Sequence, residues 1–293
     1  MNTQNVFKLI AAHGAENVAL VVNHSGGKDS HRMLGYLVEQ FPCSPIYVVM
    51  ADTGFEHTHR VSAVDWARAA AARYELPLHV VRNPNKTYLE MVARRGKFPS
   101  PSCRQCTSDL KRDPVAKFIR ALPHRVIVNC TGIRAEESSA RSKQKPWKLN
   151  RRLSRNGRAV WEWMPIFRET LTQVLQWHWD NAQPLHPVYV PEYHADGTTG
   201  GWLRRFSCRL CIFATDEDLR AIYTHDREAF DTVANLEKQI GFTMRPGASL
   251  FQIIGQGTPC PLCGGTIIAP PVSTRYGMAH AHCARNLAAH ANA

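Results

Sequence analysis

One continuous apolar run, ending in a glycine pair and followed by an amphipathic helix, constrains this chain most. "VALVV" (Val18–Val22) is apolar at every position, as in a strand buried on both faces. "SGGKDS" (Ser25–Ser30) follows, and "DSHRMLGYLVEQF" then repeats apolar residues at helical spacing. The alternation continues through "PIYVVMADTG", "HRVSAVDWARAAAARYE", "LPLHVVR", "DPVAKFIRALP" and "RVIVNCTG", read as strand, helix, strand, helix and strand. The expected fold is a Rossmann-like α/β architecture, a parallel sheet with helices on both faces. Further on, "AVWEWMPI" reads as a strand, and "ETLTQVLQWHWDNA" and about Asp216 to Ile240 as helices. The Gly-rich "VPEYHADGTTGGW" reads as loop.

The glycine turn carries chemistry. Gly26 and Gly27 let backbone N–H groups approach an anion, and the helix that opens there favours negative charge. Lys28 adds a full positive charge, Ser25 and Ser30 add hydroxyls, and Ser30 is also within reach of a metal. Asp29 would repel a phosphate unless Mg2+ lay between them. The common ATPase loop G-x-x-x-x-G-K-[ST] is excluded, because position 22 is Val. The net charge of +12 points to a polyanionic partner, a nucleotide or a nucleic acid. From Arg141 to Arg158, "RSKQKPWKLNRRLSRNGR" holds eight Lys/Arg and no acid, and reads as a long mobile loop. Its charges and Trp147 suit a phosphate backbone and a stacked base.

"SGGKDS" resembles the pyrophosphate loop of the adenine nucleotide alpha hydrolases, the PP-loop or N-type ATP pyrophosphatases. "MADTGFEH" (Met50–His57), "TGIRAEESSAR" (Thr131–Arg141) and "WMPIF" (Trp163–Phe167) resemble, in order, elements of the phosphoadenosine phosphosulfate (PAPS) reductase branch. Together they cover about residues 17–215. The resemblance implies a HUP-type fold and cleavage of ATP between its α- and β-phosphates. Ser25, Gly26, Gly27, Lys28, Asp29 and Ser30 would then grip the pyrophosphate leaving group. By the same resemblance Asp52, Thr53 and Gly54 lie near the adenosine, Gly132 and Arg134 line the nucleotide pocket, and Glu136, Ser138 and Arg141 form its wall. It also implies adenylyl transfer coupled to sulfur transfer, as in DNA phosphorothioation and tRNA thiolation members. The expected partners are an adenine nucleotide, a nucleic acid and a sulfur-donor protein such as a cysteine desulfurase.

Two Cys-x2-Cys pairs, Cys103/Cys106 and Cys208/Cys211, supply four thiolates, which suits zinc or an iron–sulfur cluster. Arg104, Lys111, Arg112, Arg204, Arg205 and Arg209 lie nearby in sequence and would favour the thiolates. Spacing does not choose between the metals, and the family resemblance points to a [4Fe–4S] cluster. Reductases of the branch open that pattern with adjacent cysteines, from which this chain departs. In the last segment Cys260, Cys263, His280 and Cys283 read as a Cys3His zinc site in a treble-clef-like module, with "TIIAPPVSTRYG" as its hairpin. The expected domains are 1–215 for the nucleotide-binding domain, 216–255 for a helical connector and 256–293 for the zinc module.

A true PAPS or adenosine phosphosulfate reductase would need a nucleophilic cysteine in E-C-G-x-H, and this sequence holds no such segment. A non-catalytic metalloprotein that binds nucleic acid or a nucleotide, and a purely structural metalloprotein, also compete with the enzyme. No apolar run approaches the roughly 18–20 residues of a membrane helix. The N-terminus lacks the pattern of a signal peptide, so the expected location is the cytoplasm. Nine cysteines there read as metal ligands or redox groups, with Cys130 in the core as the bland alternative to a persulfide carrier.

Overall fold

Strand β1 (Val18–Asn23) lies at the centre of a six-stranded sheet because every residue of "VALVV" finds apolar partners on both sides. The computed structural model describes residues 3–58, 61–189, 192–193, 199–200, 203, 206, 208–255, 272–274 and 277–279. In chain order come α1 (Thr3–His13), β1, α2 (Lys28–Gln40), β2 (Ile46–Asp52), α3 (Ala63–Ala72), β3 (Leu78–Arg82) and α4 (Tyr88–Arg95). They are followed by α5 (Gln105–Thr107), α6 (Asp113–Ala121), β4 (Val126–Thr131), α7 (Ser139–Ser142), β5 (Trp147–Leu149), β6 (Ala159–Trp163) and α8 (Leu171–Asp180). Then come β7 (Glu192–Tyr193), β8 (Thr199–Gly200), α9 (Asp216–His225), α10 (Arg227–Ile240), α11 (Leu250–Ile253), β9 (Val272–Thr274) and β10 (Gly277–Ala279).

The chain divides into two compact units, residues 1–89 with 105–208, and residues 90–104 with 209–293. The first holds the sheet, in the order β3-β2-β1-β4-β6-β5. All its pairings are parallel except β5 with β6. Alternate residues of β1 face opposite layers. Val18, Leu20 and Val22 pack with Met33, Leu34 and Leu37 of α2, while Ala19 and Val21 pack with Val115 and Ile119 of α6. This is the two-faced parallel sheet the alternation predicted. Trp177 of α8 lies against α2 at Gly35, where a Cβ would overlap its ring.

Three expectations are corrected here. The Gly-rich "VPEYHADGTTGGW", read as loop, carries β7 and β8, which pair antiparallel. The segment from Arg141 to Arg158 is not a loose loop. It forms α7, then β5 on β6, then a turn anchored by Arg158, whose guanidinium donates to the Ile119, Arg120 and Leu122 carbonyls at 3.1, 2.9 and 2.7 Å. These carbonyls lie at the end of α6, where Ile119 also accepts from the Leu122 N–H. The helix expected from Asp216 to Ile240 is two helices. Asp226 breaks it, and its carboxylate accepts from the Ala229 N–H as the cap of α10.

In the second unit Arg209 donates to Asp226 at 2.9 and 2.6 Å and to Glu228 at 3.0 Å. Buried Glu237 accepts from the Met244 and Leu250 N–H groups at 2.7 and 2.9 Å. Leu219, Ile222, Phe230 and Val233 are among its buried apolar residues. Strands β9 and β10 pair antiparallel within the region expected to hold a hairpin. The proposed zinc ligands Cys260, Cys263, His280 and Cys283 lie outside the described residues, as do Arg204 and Arg205. No helix among the described residues is long and apolar enough to cross a membrane.

Candidate active site

The strand order reverses direction at β1, whose neighbours are β2 on one side and β4 on the other. In open α/β sheets ligands bind at the carboxyl ends of strands at such a point. The turn Ser25–Ser30 leaves β1 there, and Gly132 and Arg134 leave β4 beside it.

The turn is shaped by close approach. Gly26 has φ +79°, and a Cβ there would lie 2.7 Å from Phe206 Cε1 and 2.9 Å from the Ala63 carbonyl oxygen. Gly27 is the N-cap of α2 and supplies no side-chain cap. The first N–H groups of α2 therefore face outward without an intrahelical acceptor. Ser30 is buried. Its hydroxyl donates to the Gly27 carbonyl at 2.8 Å and accepts from the Ser25 N–H at 3.2 Å. Ser30 thus fixes the loop's shape. Lys28 Nζ lies 4.7 Å above the Tyr189 ring and 3.3 Å from Asp29 Oδ2. Burial pushes the Tyr189 hydroxyl pKa up, keeping it neutral beside the lysine.

Asp29 does not stand against the anion site unaided. Arg134, only 5% exposed, donates from Nε to Asp29 Oδ1 at 2.6 Å and from Nη1 to Glu136 Oε2 at 2.6 Å. Burial works against the guanidinium charge, but Asp29 and Glu136 outweigh it and the Arg134 pKa is raised. Gly132 admits this arrangement, since a Cβ there would lie 3.0 Å from the Asp29 carbonyl oxygen. Glu136 also accepts from the Leu171 N–H at 2.6 Å, which ties the segment to the start of α8. Glu137 accepts from the Arg134 N–H at 2.9 Å and from the Arg141 guanidinium, and Ser138 caps α7 by accepting from the Arg141 N–H. Glu136, Ser138 and Arg141 thus brace the segment that carries Arg134.

Asp52, Thr53 and Gly54 leave β2 at the same sheet edge. Asp52 accepts from the Gly54 N–H at 2.7 Å and from Arg82 Nε at 2.8 Å. The Thr53 hydroxyl donates to Glu56 at 2.9 Å. Gly54 has φ +74° and packs on Thr87, where a Cβ would lie 2.7 Å from Cγ2.

Sequence reasoning missed a layer of histidines behind the loop. His24 Nδ1 accepts from the Gly26 N–H at 3.1 Å, so its ring is the neutral Nε2–H tautomer. His31 Nε2 pairs with Gln183 Oε1 at 3.1 Å, and His178 Nε2 donates to the Lys28 carbonyl at 3.0 Å. The rings of His31 and His178 stand 5.2 Å apart. Burial, then the neighbouring histidine, holds His24 down at about 3 and His31 at about 4. Both pKa values are depressed below the unfolded value near 6.5. Their stabilisation is therefore complete above about pH 6.5 and is lost as pH falls through that value toward 4 and 3. Each imidazole contributes a slope of about 1.4 kcal/mol per pH unit in that window. Urea unfolding from pH 7 to 4 should show this loss, and His24→Asn should flatten it; an unchanged slope in the variant would contradict the assignment.

The cysteines divide between the units, Cys106 and Cys208 in the first and Cys103 and Cys211 in the second. Within the second unit Arg95 donates to Cys103 Sγ at 3.3 Å, and within the first Lys111 donates to Cys208 Sγ at 3.6 Å. Each of these sulfurs thus has a cation within hydrogen-bonding distance. Proximity in sequence set Lys111 beside Cys103 and Cys106, whereas its contact is with Cys208, 97 residues away; Arg95 was not foreseen. Arg209 is engaged by Asp226 and Glu228, and Arg104 lies over Phe213 at 5.9 Å. Among the described residues no three His, Cys, Asp or Glu side chains gather as a metal site. Cys130 is fully buried and its thiol pKa is pushed up by burial, as fits a core residue.

The phosphoadenosine phosphosulfate reductase domain matches residues 19–202, well over half of the chain. The chain belongs to that family. An uncharacterised 37.8 kDa protein of Escherichia phage 186 is 24% identical over 282 residues, covering 81% of this chain and 80% of that protein. Among solved structures, the U34-tRNA thiolase NcsA of Methanococcus maripaludis, which carries a [4Fe–4S] cluster, is 16% identical with a TM-score of 0.43. That match covers 98% of this chain and 87% of the thiolase. The FMN adenylyltransferase of Candida glabrata, solved with FMN and an ATP analogue, is 14% identical with a TM-score of 0.43; this chain spans 58% of its length, and 64% of this chain is covered. The NH3-dependent NAD synthetase of Campylobacter jejuni is 12% identical with a TM-score of 0.36, covering 82% of this chain and 90% of that one. The resemblance carried by "SGGKDS", "MADTGFEH" and "TGIRAEESSAR" agrees with the matched family, and the matched stretch includes all three.

Proposed function

We propose that this PAPS reductase family member cleaves ATP between its α- and β-phosphates and adenylates a nucleic acid for sulfur transfer. The observation that supports the reading is the turn after β1, an uncapped helix start with two closely packed glycines and Lys28 at its rim. An acceptor oxygen attacks the α-phosphorus, and the bridging α–β oxygen leaves with the electron pair on pyrophosphate. The N–H groups of α2 and Lys28 Nζ stabilise the charge that develops on that leaving group. The outer sulfur of a persulfide on a donor protein of the cysteine-desulfurase kind then attacks the adenylated centre, and AMP leaves with the acceptor oxygen. A second thiol of the donor attacks the remaining S–S bond, so that the donor ends as a disulfide and the sulfur stays on the acceptor. The turn Asp52–Gly54 is proposed to lie near the adenosine, Gly132 with Arg134 to line the nucleotide pocket, and Glu136, Ser138 and Arg141 to form its wall.

Mg2+ finds no unengaged side-chain ligand in the turn. Asp29 Oδ1 is held by Arg134, Oδ2 lies beside Lys28, and the Ser30 hydroxyl is bound within the loop. No step is therefore assigned to a protein-held magnesium. The cysteine chemistry fits an iron–sulfur centre, because Cys103 and Cys208 each accept from a cation. Cys103, Cys106, Cys208 and Cys211 are proposed to hold a [4Fe–4S] cluster, which when bound supplies a redox centre. Cys260, Cys263, His280 and Cys283 are proposed to hold zinc. Protein purified without oxygen should contain acid-labile sulfide and visible charge-transfer absorption, both lost in Cys208→Ser. Two zinc ions and no sulfide would contradict the cluster.

The reductase alternative is disfavoured by the absence of an E-C-G-x-H segment from this sequence. A paired assay separates the two. One arm supplies ATP and nucleic acid and measures AMP and pyrophosphate; the other supplies PAPS and a reductant and measures sulfite. Sulfite production without AMP formation would overturn the proposal.

A further inference from the structure

We propose that the outer edge of the sheet, β5 with the turn joining it to β6, is a docking track for a single-stranded nucleic acid. This rests on the reading that the acceptor is a nucleic acid, and it names the surface.

Strand register places the track. Trp147 of β5 lies opposite Trp163 of β6, and Trp163 lies opposite Cys130, one residue before the end of β4. That end of β5 is therefore level with the catalytic edge of the sheet. At the other end Ala159 lies opposite Val126, the first residue of β4. The Arg151–Arg158 turn thus sits at the opposite edge, about 15–20 Å away for five to six residues of strand. The basic run extends from one edge of the sheet to the other. A mononucleotide in the turn after β1 reaches one end of it. A single strand that keeps the stacked spacing of a duplex, about 3.4 Å of axis per phosphate, spans both ends with about six nucleotides.

The charges suit such a chain. Lys143 and Lys145 at the catalytic end, and Arg151 and Arg155 at the far end, are exposed. None of the four has a side-chain hydrogen bond or ion pair among the described residues. Between them Lys148 shares its charge with Glu162 at 3.3 Å. Trp147 stacks on Trp161 with centroids 5.2 Å apart and planes 20° apart, and both rings are half-buried at the sheet edge. Such a pair can be extended by a nucleobase. Lysine on an edge strand also discourages strand-to-strand aggregation. That role does not require cations at both ends of the strand or a stacked indole pair.

The test uses the full chain with labelled 12-mer and 3-mer single-stranded oligonucleotides, DNA and RNA, and with phosphatidylserine vesicles. Lys143→Glu with Lys145→Glu, and separately Arg151→Glu with Arg155→Glu, should each weaken 12-mer binding about tenfold. Each should also reduce the log–log salt slope by about 1.4, from about 0.7 per lost phosphate contact. The far pair should leave 3-mer binding and ATP binding unchanged. If the wild type binds the 12-mer and both variants bind it equally well, the surface is wrong while the nucleic-acid reading stands. If the wild type binds neither oligonucleotide, both fail. Binding to vesicles alone, or variants that change only self-association, would also overturn the track.

Discussion

Lys28→Ala is expected to lower ATP-to-AMP turnover by about 10²–10³-fold, the loss typical of one preorganised donor to a developing anion. The fold should survive. Lys28 is the first residue of α2, and the capping and packing of that helix depend on Gly27, Ser30 and the Met33–Leu37 face rather than on the lysine charge. Lys28→Arg should recover little. The ammonium is held 4.7 Å over the Tyr189 ring in a space that Gly27 bounds, and a planar fork does not replace a point charge there. Unchanged turnover in Lys28→Ala would remove the loop from the chemistry.

Arg134→Met should give the largest loss of stability at the site, about 3 kcal/mol, because it leaves Asp29 facing the helix start without its buried partner. Glu136 is half exposed, so Glu136→Gln should cost less than about 1 kcal/mol. Chemical denaturation of the two variants tests this order. A cost for Glu136→Gln equal to that of Arg134→Met would show that the Asp29 contact is not the important one. Arg134→Met should also lose turnover beyond its stability loss at temperatures where it is folded, since Asp29 would then repel the nucleotide.

The central sheet was legible because β1, β2 and β4 carry their own signal, apolar at nearly every position and each followed by turn residues. The parts that escaped depend on distant partners. Strand β5 is three residues, "WKL", with a lysine at its centre; its pairing with β6 makes it a strand. The turn after it is fixed by Arg158 reaching the end of α6, a contact 36–39 residues away in sequence. The break at Asp226 carries no Gly or Pro, and only a capping Asp marks it. Helix α1 had a readable stripe in Val6, Leu9 and Ile10.

The candidate site divides in the same way. "SGGKDS" announced an anion turn, but Asp29 looked like a liability because Arg134 is 105 residues away. Nothing near Gly26 in the sequence foretold that Phe206 and Tyr189 would crowd the turn, or that His24, His31 and His178 would lie behind it. Side chains that meet only through the fold leave no local pattern.

The most direct measurement is the product distribution from ATP. Purified protein with ATP, Mg2+ and single-stranded nucleic acid should yield AMP and pyrophosphate in equal amounts by phosphorus NMR, with Lys28→Ala as the silent control. ADP and inorganic phosphate as the products, or AMP formed equally by Lys28→Ala, would contradict the account.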